Sequence, residues 1–292
     1  MKLFTIKTHK FDYDKFIYFH GWIYLSPFSL FEDKNVGAYL RLKNGKSIKV
    51  KIERSEGRVY TTLIVSTRED GHIGEMDREV LRGQVSRMFC LDQDFTGFYE
   101  MCRDEPVLSF VYKKNCRGML RSSNTFEDII KTICTTNCDW RNTKNMCSAL
   151  CSLDSGNFPT PKEILQYNDK KLSDMVPVGY RSRTILEISR LWEDGKNDID
   201  KWAKEKDFEK IRNVLGNVWG IGDYCLNHIL VLLGDYSFIP VDSEVLRYLK
   251  DVYFQGCDIS AKEAVKPFEK YGKFRYLAYK YERMARKLNY IN

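Results

Sequence analysis

The chain has 292 residues, of which 43% are hydrophobic and 14% aromatic, a composition typical of a globular protein rather than a disordered one. Its apolar runs, such as residues 229–233, are far too short to cross a bilayer, so we expect no membrane partner. The formal net charge of +7 favours an anionic partner, and nucleic acid is the commonest of these.

Cysteine usage indicates the compartment. Nine cysteines, together with a first decapeptide (MKLFTIKTHK) that lacks the apolar stretch of a secretory signal, predict free thiols in a reducing, intracellular compartment. That compartment would be the cytoplasm or nucleoid of a prokaryote, or the nucleus of a eukaryote. Cys134, Cys138, Cys147 and Cys151 form two pairs at helical spacing, but no CxxC pair occurs there. We therefore predict that they are core residues and not metal ligands.

The first hundred residues carry the alternation that is typical of strands. Residues 36–42 and 47–53 flank Asn44-Gly45, the commonest pair in type I′ hairpin turns. Apolar and charged residues alternate in the second run, which predicts one buried and one solvated face. Residues 59–65 supply a third strand, so an antiparallel sheet is expected.

Further along the chain the hydrophobic period becomes that of helices. In residues 124–134, Asn124 is placed to cap the helix and Glu127 to complete a capping box. One apolar stripe follows at helical spacing: Phe126, Ile129, Ile130, Ile133 and Cys134. We predict an α+β fold in which an antiparallel β-rich domain, residues 1–110, packs on an α-helical domain, residues 111–292.

The end of the chain predicts a basic amphipathic helix over residues 273–288. Its cations and those just before it are expected to form a solvated face, and whether that face contacts DNA stays open. These residues are Lys270, Lys273, Arg275, Lys280, Arg283, Arg286 and Lys287.

A glycine turn separates two of the predicted helices. The first begins at Asp207, a plausible N-cap, and ends near residue 216, and the second begins at Asp223. Between them, Gly220 and Gly222 allow a sharp turn and let backbone amides come close to a ligand. Amides at a helix N-terminus favour an anion such as a DNA phosphate. Taken alone, the same pattern also fits a plain connection between two helices.

The hydrophobic residues around these glycines make the turn resemble the helix-hairpin-helix of the HhH-GPD superfamily of DNA glycosylases. In that family the hairpin is followed by a Gly/Pro-rich loop and an Asp, and here residues 239–241 and Asp242 stand at nearly that spacing. The resemblance assigns contacts with the DNA backbone to five hairpin residues: Val218, Trp219, Gly220, Ile221 and Gly222.

Motifs upstream of the hairpin occur in the same family's order. Residues 117–121 and 126–137 resemble the first helix of the 8-oxoguanine glycosylase branch, and residues 178–183 resemble its Gly-Tyr-Arg loop. The resemblance covers roughly residues 85–290. It also implies the N-terminal sheet, because relatives of the 8-oxoguanine and AlkA-type 3-methyladenine glycosylases carry an antiparallel β domain there.

The resemblance gives Asp242 the catalytic role. It implies a buried carboxylate that faces the N-glycosidic bond of a nucleotide flipped out of the duplex. Breaking that bond builds positive charge on the sugar, which the carboxylate stabilises while it orients or activates the attacking water. Asp242 also fits the N-cap of a helix over residues 243–252, and the two roles are compatible because the helix dipole favours the anion.

Tyr224 stands where bifunctional members of the family carry a Schiff-base lysine, two positions after the second hairpin glycine. A phenol forms no Schiff base, so the sequence predicts hydrolytic base release without β-elimination. This departs from the 8-oxoguanine branch and agrees with the AlkA type, which has an aromatic residue there. Tyr224 either contacts the flipped base or packs within the hairpin.

The resemblance also assigns residues to the hole that a flipped base leaves. Asn137 matches the residue that enters the hole, Tyr180 the aromatic wedge that kinks the duplex, and Arg181 a residue that reads the orphaned base. No cofactor is expected to be required, although hairpin carbonyls could hold a monovalent cation. The iron–sulfur cluster of the endonuclease III branch needs four cysteines after the catalytic Asp, and only Cys257 follows Asp242.

These observations predict a monomeric, monofunctional DNA glycosylase of base-excision repair that acts on double-stranded DNA containing a damaged base. It would flip a damaged purine and hydrolyse its N-glycosidic bond, with alkylated purines such as 3-methyladenine favoured. Two alternatives remain. One is an 8-oxoguanine glycosylase with AP-lyase activity through another amine, and the other is a non-catalytic helix-hairpin-helix protein that binds DNA damage.

Overall fold

A computed structural model describes residues 1–288, in which one antiparallel sheet of five strands is accompanied by fifteen α-helices and two 3-10 helices. The strands are β1 Lys2–His9, β2 Ser29–Leu30, β3 Val36–Arg41, β4 Ser47–Glu56 and β5 Tyr60–Thr67. The α-helices are α1 Tyr13–Tyr18, α2 Glu75–Met88, α3 Thr96–Arg103, α4 Ser109–Lys114, α5 Thr125–Thr135, α6 Trp140–Cys151, α7 Pro161–Ile164, α8 Asp169–Met175, α9 Arg181–Glu193, α10 Ile199–Glu205, α11 Phe208–Gly216, α12 Asp223–Leu233, α13 Ser243–Tyr253, α14 Ala261–Ala264 and α15 Arg275–Lys287. The 3-10 helices span Trp22–Tyr24 and Lys266–Phe274.

The predicted antiparallel sheet is confirmed, with strand order β1-β5-β4-β3-β2. The three predicted strands are β3, β4 and β5; β3 and β4 begin where predicted, β5 begins one residue later, and the C-terminal ends differ by one to three residues. Ile48, Val50 and Ile52 of β4 are buried, as their alternation with charged residues predicts.

The turn between β3 and β4 differs from the predicted type I′ pair. Leu42 N donates to Lys46 O at 2.8 Å, so the hairpin closes around three residues. Of the Asn44-Gly45 pair, Gly45 alone has a positive φ, at 86°. A type I′ turn needs positive φ at both central residues, whereas a three-residue loop needs it only at the last, where glycine adopts it without strain.

Helix α5 is buried on all sides, and not only along its apolar stripe. Asn124 caps it as predicted, because its side chain accepts from Glu127 N at 2.9 Å. Glu127 does not complete the capping box; its carboxylate pairs instead with the buried ammonium of Lys131, 2.6 Å away. Asp128 is buried as well and pairs with Arg87 of α2 at 2.7 Å. Paired charges let the polar face of the helix enter the core.

The chain divides into two compact units, each made of two segments. The first unit consists of Met1–Phe95 and Lys114–Asp194, and it contains the sheet, α1, α2 and α5–α9. In it, Arg41 of β3 pairs with Asp154, which follows α6, at 2.7 Å. The second unit consists of Thr96–Lys113 and the chain from Gly195 onward, which includes α10–α15. The predicted domain division at residue 110 stays a prediction.

No helix of residues 1–288 has the length and apolarity that a membrane span requires.

The predicted C-terminal helix is present as α15, after a kink at Gly272 where φ is 51°. Lys270, Lys273 and Lys287 are exposed, as expected of a solvated basic face, whereas the other four members are only partly exposed: Arg275, Lys280, Arg283 and Arg286. Lys270 pairs with Glu105 at 2.7 Å, Arg286 pairs with Glu282 at 3.1 Å, and Arg283 pairs with Glu244. The apolar face of α15 lies in the core of the second unit, and these cations pair with carboxylates of the same helix, of α13 and of the segment between α3 and α4.

Candidate active site and nucleic-acid interface

The glycine turn joins α11 to α12, as the sequence predicts. Gly220 has a φ of 83°, whereas Gly222 has an extended backbone with φ −92° and ψ 179°. Ile221 N donates to Val218 O at 3.2 Å, and Leu226 N donates to Gly222 O at 2.9 Å. The first bond closes the turn and the second begins the helix.

Burial divides the five hairpin residues into two groups. Val218 and Ile221 are buried and fix the turn to the core, while Trp219, Gly220 and Gly222 are exposed. Gly222 is the N-cap of α12 and, having no side chain, leaves the first amides of that helix uncapped. Exposed amides at a helix N-terminus form a site that suits a phosphate.

Asp242 is the N-cap of α13, as predicted. Its Oδ1 accepts a hydrogen bond from Val245 N at 2.7 Å, and its Oδ2 accepts none from the described part of the chain. The side chain is exposed in the protein alone, which corrects the expectation of a buried carboxylate. One oxygen therefore holds the group in place at the positive end of the helix, and the other is directed at no protein donor.

Two buried tyrosines of α15, Tyr276 and Tyr279, lie in the electrostatic field of this carboxylate. Tyr276 of α15 is joined to the segment that precedes Asp242, because its backbone N donates to Tyr236 O at 3.0 Å. Burial raises the pKa of Tyr276, and the nearby phenol of Tyr224 and the Asp242 carboxylate raise it further. The predicted pocket residue Tyr224 is half-buried, and its ring lies 5.6 Å from that of His228.

Lys280 of α15 also lies near Asp242, whereas its sequence pattern predicts only a place on a solvated basic face. Burial, together with the charge of Arg283, lowers the pKa of Lys280 from 10.5 to about 8. The carboxylates of Glu244 and Asp242 act in the opposite direction, which places the ammonium in the field of both. The sequence does contain a sign that Lys280 belongs to this site. It stands four residues after Tyr276 and three before Arg283, so the three share one face of α15.

The first unit brings together the three residues matched to the hole in the duplex. Asn137 has a φ of 46°, and its Nδ2 donates to the Tyr180 hydroxyl at 3.1 Å. Both side chains are exposed. Arg181 is buried, and its Nη1 donates to Val178 O at 3.2 Å.

Arg181 also joins the two loops of this cluster. Its Nη2 donates to Thr136 O, and its Nε donates to Thr136 Oγ1 at 3.3 Å. The guanidinium lies 4.7 Å from the centre of the Tyr180 ring. The geometry therefore gives Arg181 a role in positioning Asn137 and Tyr180, while its contact with an orphaned base stays a prediction.

Three of the four cysteines in the two pairs lie in the core of the first unit, and Cys138 is only partly buried. Cys134, Cys147 and Cys151 are buried, and all nine cysteines are free thiols. A hydrogen bond with Cys147, together with burial, raises the pKa of Cys134. Among the residues that the structure describes, no three His, Cys, Asp or Glu side chains are grouped to hold a metal ion. The expected absence of a metal and of an iron–sulfur cluster stays a prediction.

Two comparisons of the sequence agree on one group of proteins. Residues 130–273 match the model of the "HhH-GPD superfamily base excision DNA repair protein", and this range includes the glycine turn, Asp242 and the Asn137 cluster. The N-glycosylase/DNA lyase of Saccharomyces cerevisiae is 23% identical over 72% of this chain and 63% of its own length. The aligned region thus spans less than two thirds of that relative.

Solved structures show the same fold. The 3-methyladenine DNA glycosylase of Archaeoglobus fulgidus superposes with a TM-score of 0.74 at 19% identity, covering 99% of this chain and 100% of that protein. A second match is the 8-oxoguanine glycosylase/lyase of Clostridium acetobutylicum, solved in complex with double-stranded DNA containing cytosine opposite 8-oxoguanine. It superposes with a TM-score of 0.69 at 19% identity, covering 97% of this chain and 98% of that protein. The predicted α+β glycosylase fold is confirmed.

Proposed function

The chain carries an HhH-GPD domain in residues 130–273, and from this premise we propose that it is a DNA glycosylase of base-excision repair. It would flip a damaged purine out of duplex DNA and release it by hydrolysis. The observation that carries the proposal is Asp242, whose Oδ1 is held by the first turn of α13 while its Oδ2 accepts no hydrogen bond from residues 1–288.

The chemistry follows from the position of the carboxylate. Departure of a purine leaves a sugar with oxocarbenium character, and an anion beside that carbon lowers the energy of the transition state. The N-terminus of α13 favours the ionised form of Asp242, and the bond from Val245 N fixes one oxygen. When DNA covers this exposed group, its field would act in a drier, less polarisable environment.

The two exposed clusters suit contacts with DNA. The uncapped amides after Gly222 would bind a phosphate in a way that does not depend on sequence. Tyr180 and Asn137 are exposed and joined by a hydrogen bond, and they would fill the space of the flipped nucleotide. A monovalent cation at the hairpin is part of the proposal, because Val218 O accepts one hydrogen bond, from Ile221 N, and keeps a lone pair.

The hairpin itself supplies no amine, because Tyr224 stands at the lysine position. We therefore propose that water displaces the base. Alkylated purines such as 3-methyladenine are the favoured substrates, and 8-oxoguanine is the second, because Asn137 and the Gly-Tyr-Arg loop resemble that branch. Duplexes that each contain one lesion, assayed with and without alkali, would identify the base released.

Asp242→Asn is the direct test of this function. The amide oxygen can still accept from Val245 N, so the helix cap remains while the negative charge is lost. We expect base release to fall by about a hundredfold or more, with affinity for the same duplex changed by no more than a few fold. Single-turnover release and DNA binding would be measured on one lesion duplex.

Asp198→Asn provides a matched control. Asp198 is also an exposed N-cap in the second unit, where it accepts from Lys201 N at 2.9 Å. We expect it to leave base release unchanged. Turnover of Asp242→Asn within tenfold of the parent would refute the catalytic assignment, and tight binding without release of any base would favour the non-catalytic alternative.

A further inference from the structure

Helix α15 places the amine of Lys280 near Asp242. Tyr276, Lys280 and Arg283 follow one another at four- and three-residue spacing, so they share a face of the helix. The first of these is tied to the segment before Asp242 through its bond to Tyr236 O at 3.0 Å. Arg283 is tied to Glu244, two residues after Asp242, by an ion pair. Lys280 lies between these two attachment points.

Helices α13 and α15 also pack directly against each other beside this face. The rings of Tyr248 and Tyr279 lie 6.0 Å apart, and the Arg283 guanidinium lies 5.2 Å from the centre of the Tyr248 ring. Arg283 Nη1 donates to the Tyr279 hydroxyl at 3.0 Å. These contacts fix the register of α15 against the first turns of α13, and with it the place of Lys280.

We propose that Lys280 is a second catalytic residue, which forms a Schiff base with the abasic sugar produced by base release and cleaves the DNA strand. The inference rests on the proposed function, because it requires DNA to lie against Asp242. It adds an activity that the tyrosine at position 224 does not supply, and it assigns that activity to a different helix.

The reaction balances without an oxidant or a reductant. The Lys280 Nζ adds to the C1′ aldehyde of the ring-opened abasic sugar, and loss of one water gives an imine. The imine makes the C2′ proton acidic. A water molecule takes that proton, the electron pair enters the C2′–C3′ bond, and the C3′–O bond breaks so that the downstream strand leaves with a 5′-phosphate. Water then hydrolyses the conjugated imine, which frees the lysine and returns the aldehyde.

The protonation state of Lys280 suits this chemistry. Burial and Arg283 and Lys287 lower its pKa to about 8, against the opposing effect of Glu244 and Asp242. At pH 7 about one amine in ten is then neutral, compared with about one in three thousand at a pKa of 10.5. Below pH 8 the rate of imine formation should therefore rise about tenfold per pH unit, and it should level off above pH 8.

The test uses a duplex with a preformed abasic site and sodium cyanoborohydride, with the full-length protein. We expect a covalent adduct, and peptide mass spectrometry should place it on Lys280. Lys280→Arg keeps a cation but offers no amine, and Lys280→Met removes both, so each should lose the adduct by about tenfold or more. Lys273→Met, which removes an exposed lysine seven residues earlier, should form as much adduct as the parent.

The outcomes separate this inference from the proposed function. No adduct with the parent, or an adduct that persists in folded Lys280→Arg protein, would overturn the role of Lys280. Loss of the adduct in Lys273→Met would overturn it as well. A protein that releases bases through Asp242 but forms no adduct refutes only the lyase step, whereas an adduct at Lys280 without base release from any lesion refutes only the proposed function.

Discussion

At the scale of single residues, the two glycines of the hairpin have different physical roles. Gly220 has a φ of 83°, a conformation that costs an L-residue with a side chain about 1–2 kcal/mol. Gly222 is extended, and a Cβ added there would meet no atom within 4 Å. The fold therefore requires glycine at residue 220, whereas at residue 222 only a ligand could require it.

This difference predicts unequal stability effects for two alanine variants. Gly220→Ala should lower the free energy of unfolding by about 1–2 kcal/mol, and Gly222→Ala should change it by less than about 0.5 kcal/mol. Both should weaken binding to every duplex, damaged or not, because a methyl group would stand where the backbone approaches a phosphate. Denaturant unfolding and binding to matched duplexes would measure this. Unchanged affinity in Gly222→Ala would exclude the hairpin as a phosphate contact.

At the scale of elements, α5 shows how a helix with charged residues enters a core. The buried Asp128 carboxylate accepts from Trp22 Nε1 at 2.8 Å and from Ser122 N at 2.9 Å, and it pairs with Arg87 at 2.7 Å. Burial acts to raise the pKa of Asp128, but the Arg87 guanidinium and the bonds from Ser122 outweigh it and hold the pKa below its usual value.

Asp128→Asn should lower the free energy of unfolding by about 3–5 kcal/mol at pH 7, because Arg87 would keep its charge without a buried partner. The native pKa of Asp128 is depressed, so its contribution is present above the unfolded value of about 3.9 and is lost as the pH falls through the native value. The parent should therefore lose stability between about pH 5 and pH 2 more steeply than the variant. Urea unfolding across this range is the measurement.

Asp139→Asn is the control variant for Asp128→Asn. Asp139 is an exposed N-cap of α6 that accepts from Asn142 N at 2.7 Å, and asparagine caps as well as aspartate. Its unfolding free energy should stay within about 0.5 kcal/mol of the parent. If the free energy of unfolding depended equally on pH in the parent and in Asp128→Asn, the lowered pKa of Asp128 would be contradicted.

At the scale of the whole molecule, the net charge of +7 predicts how DNA binding responds to salt. Each phosphate neutralised by a cation releases a counterion, so affinity for undamaged duplex should fall by at least about tenfold between 50 and 200 mM salt. Gly222→Ala should bind more weakly at each salt concentration but with the same slope, because its proposed contact uses uncharged amides. Fluorescence anisotropy would measure both slopes. Affinity that does not depend on salt would argue against a phosphate-binding surface.

Local signals were sufficient for much of this protein. Alternation predicted β3, β4 and β5, and the caps at Asn124 and Asp242 followed from side chains that bond amides three residues ahead. The glycine turn and the Asp after it indicated the fold and the carboxylate that we propose as catalytic. Such features depend on a few neighbouring residues, so the sequence alone determines them.

Tertiary structure decided the features that depend on packing between distant segments. Lys280 and Arg283 follow the helical period of a solvated basic face, yet contacts of α15 with α13 place one near Asp242 and pair the other with Glu244. Arg181 matched a residue that reads DNA, and the structure adds inward bonds to Thr136 that tie two loops together. The charge and solvation of a side chain depend on which elements surround it, and residues far apart in the chain set those surroundings.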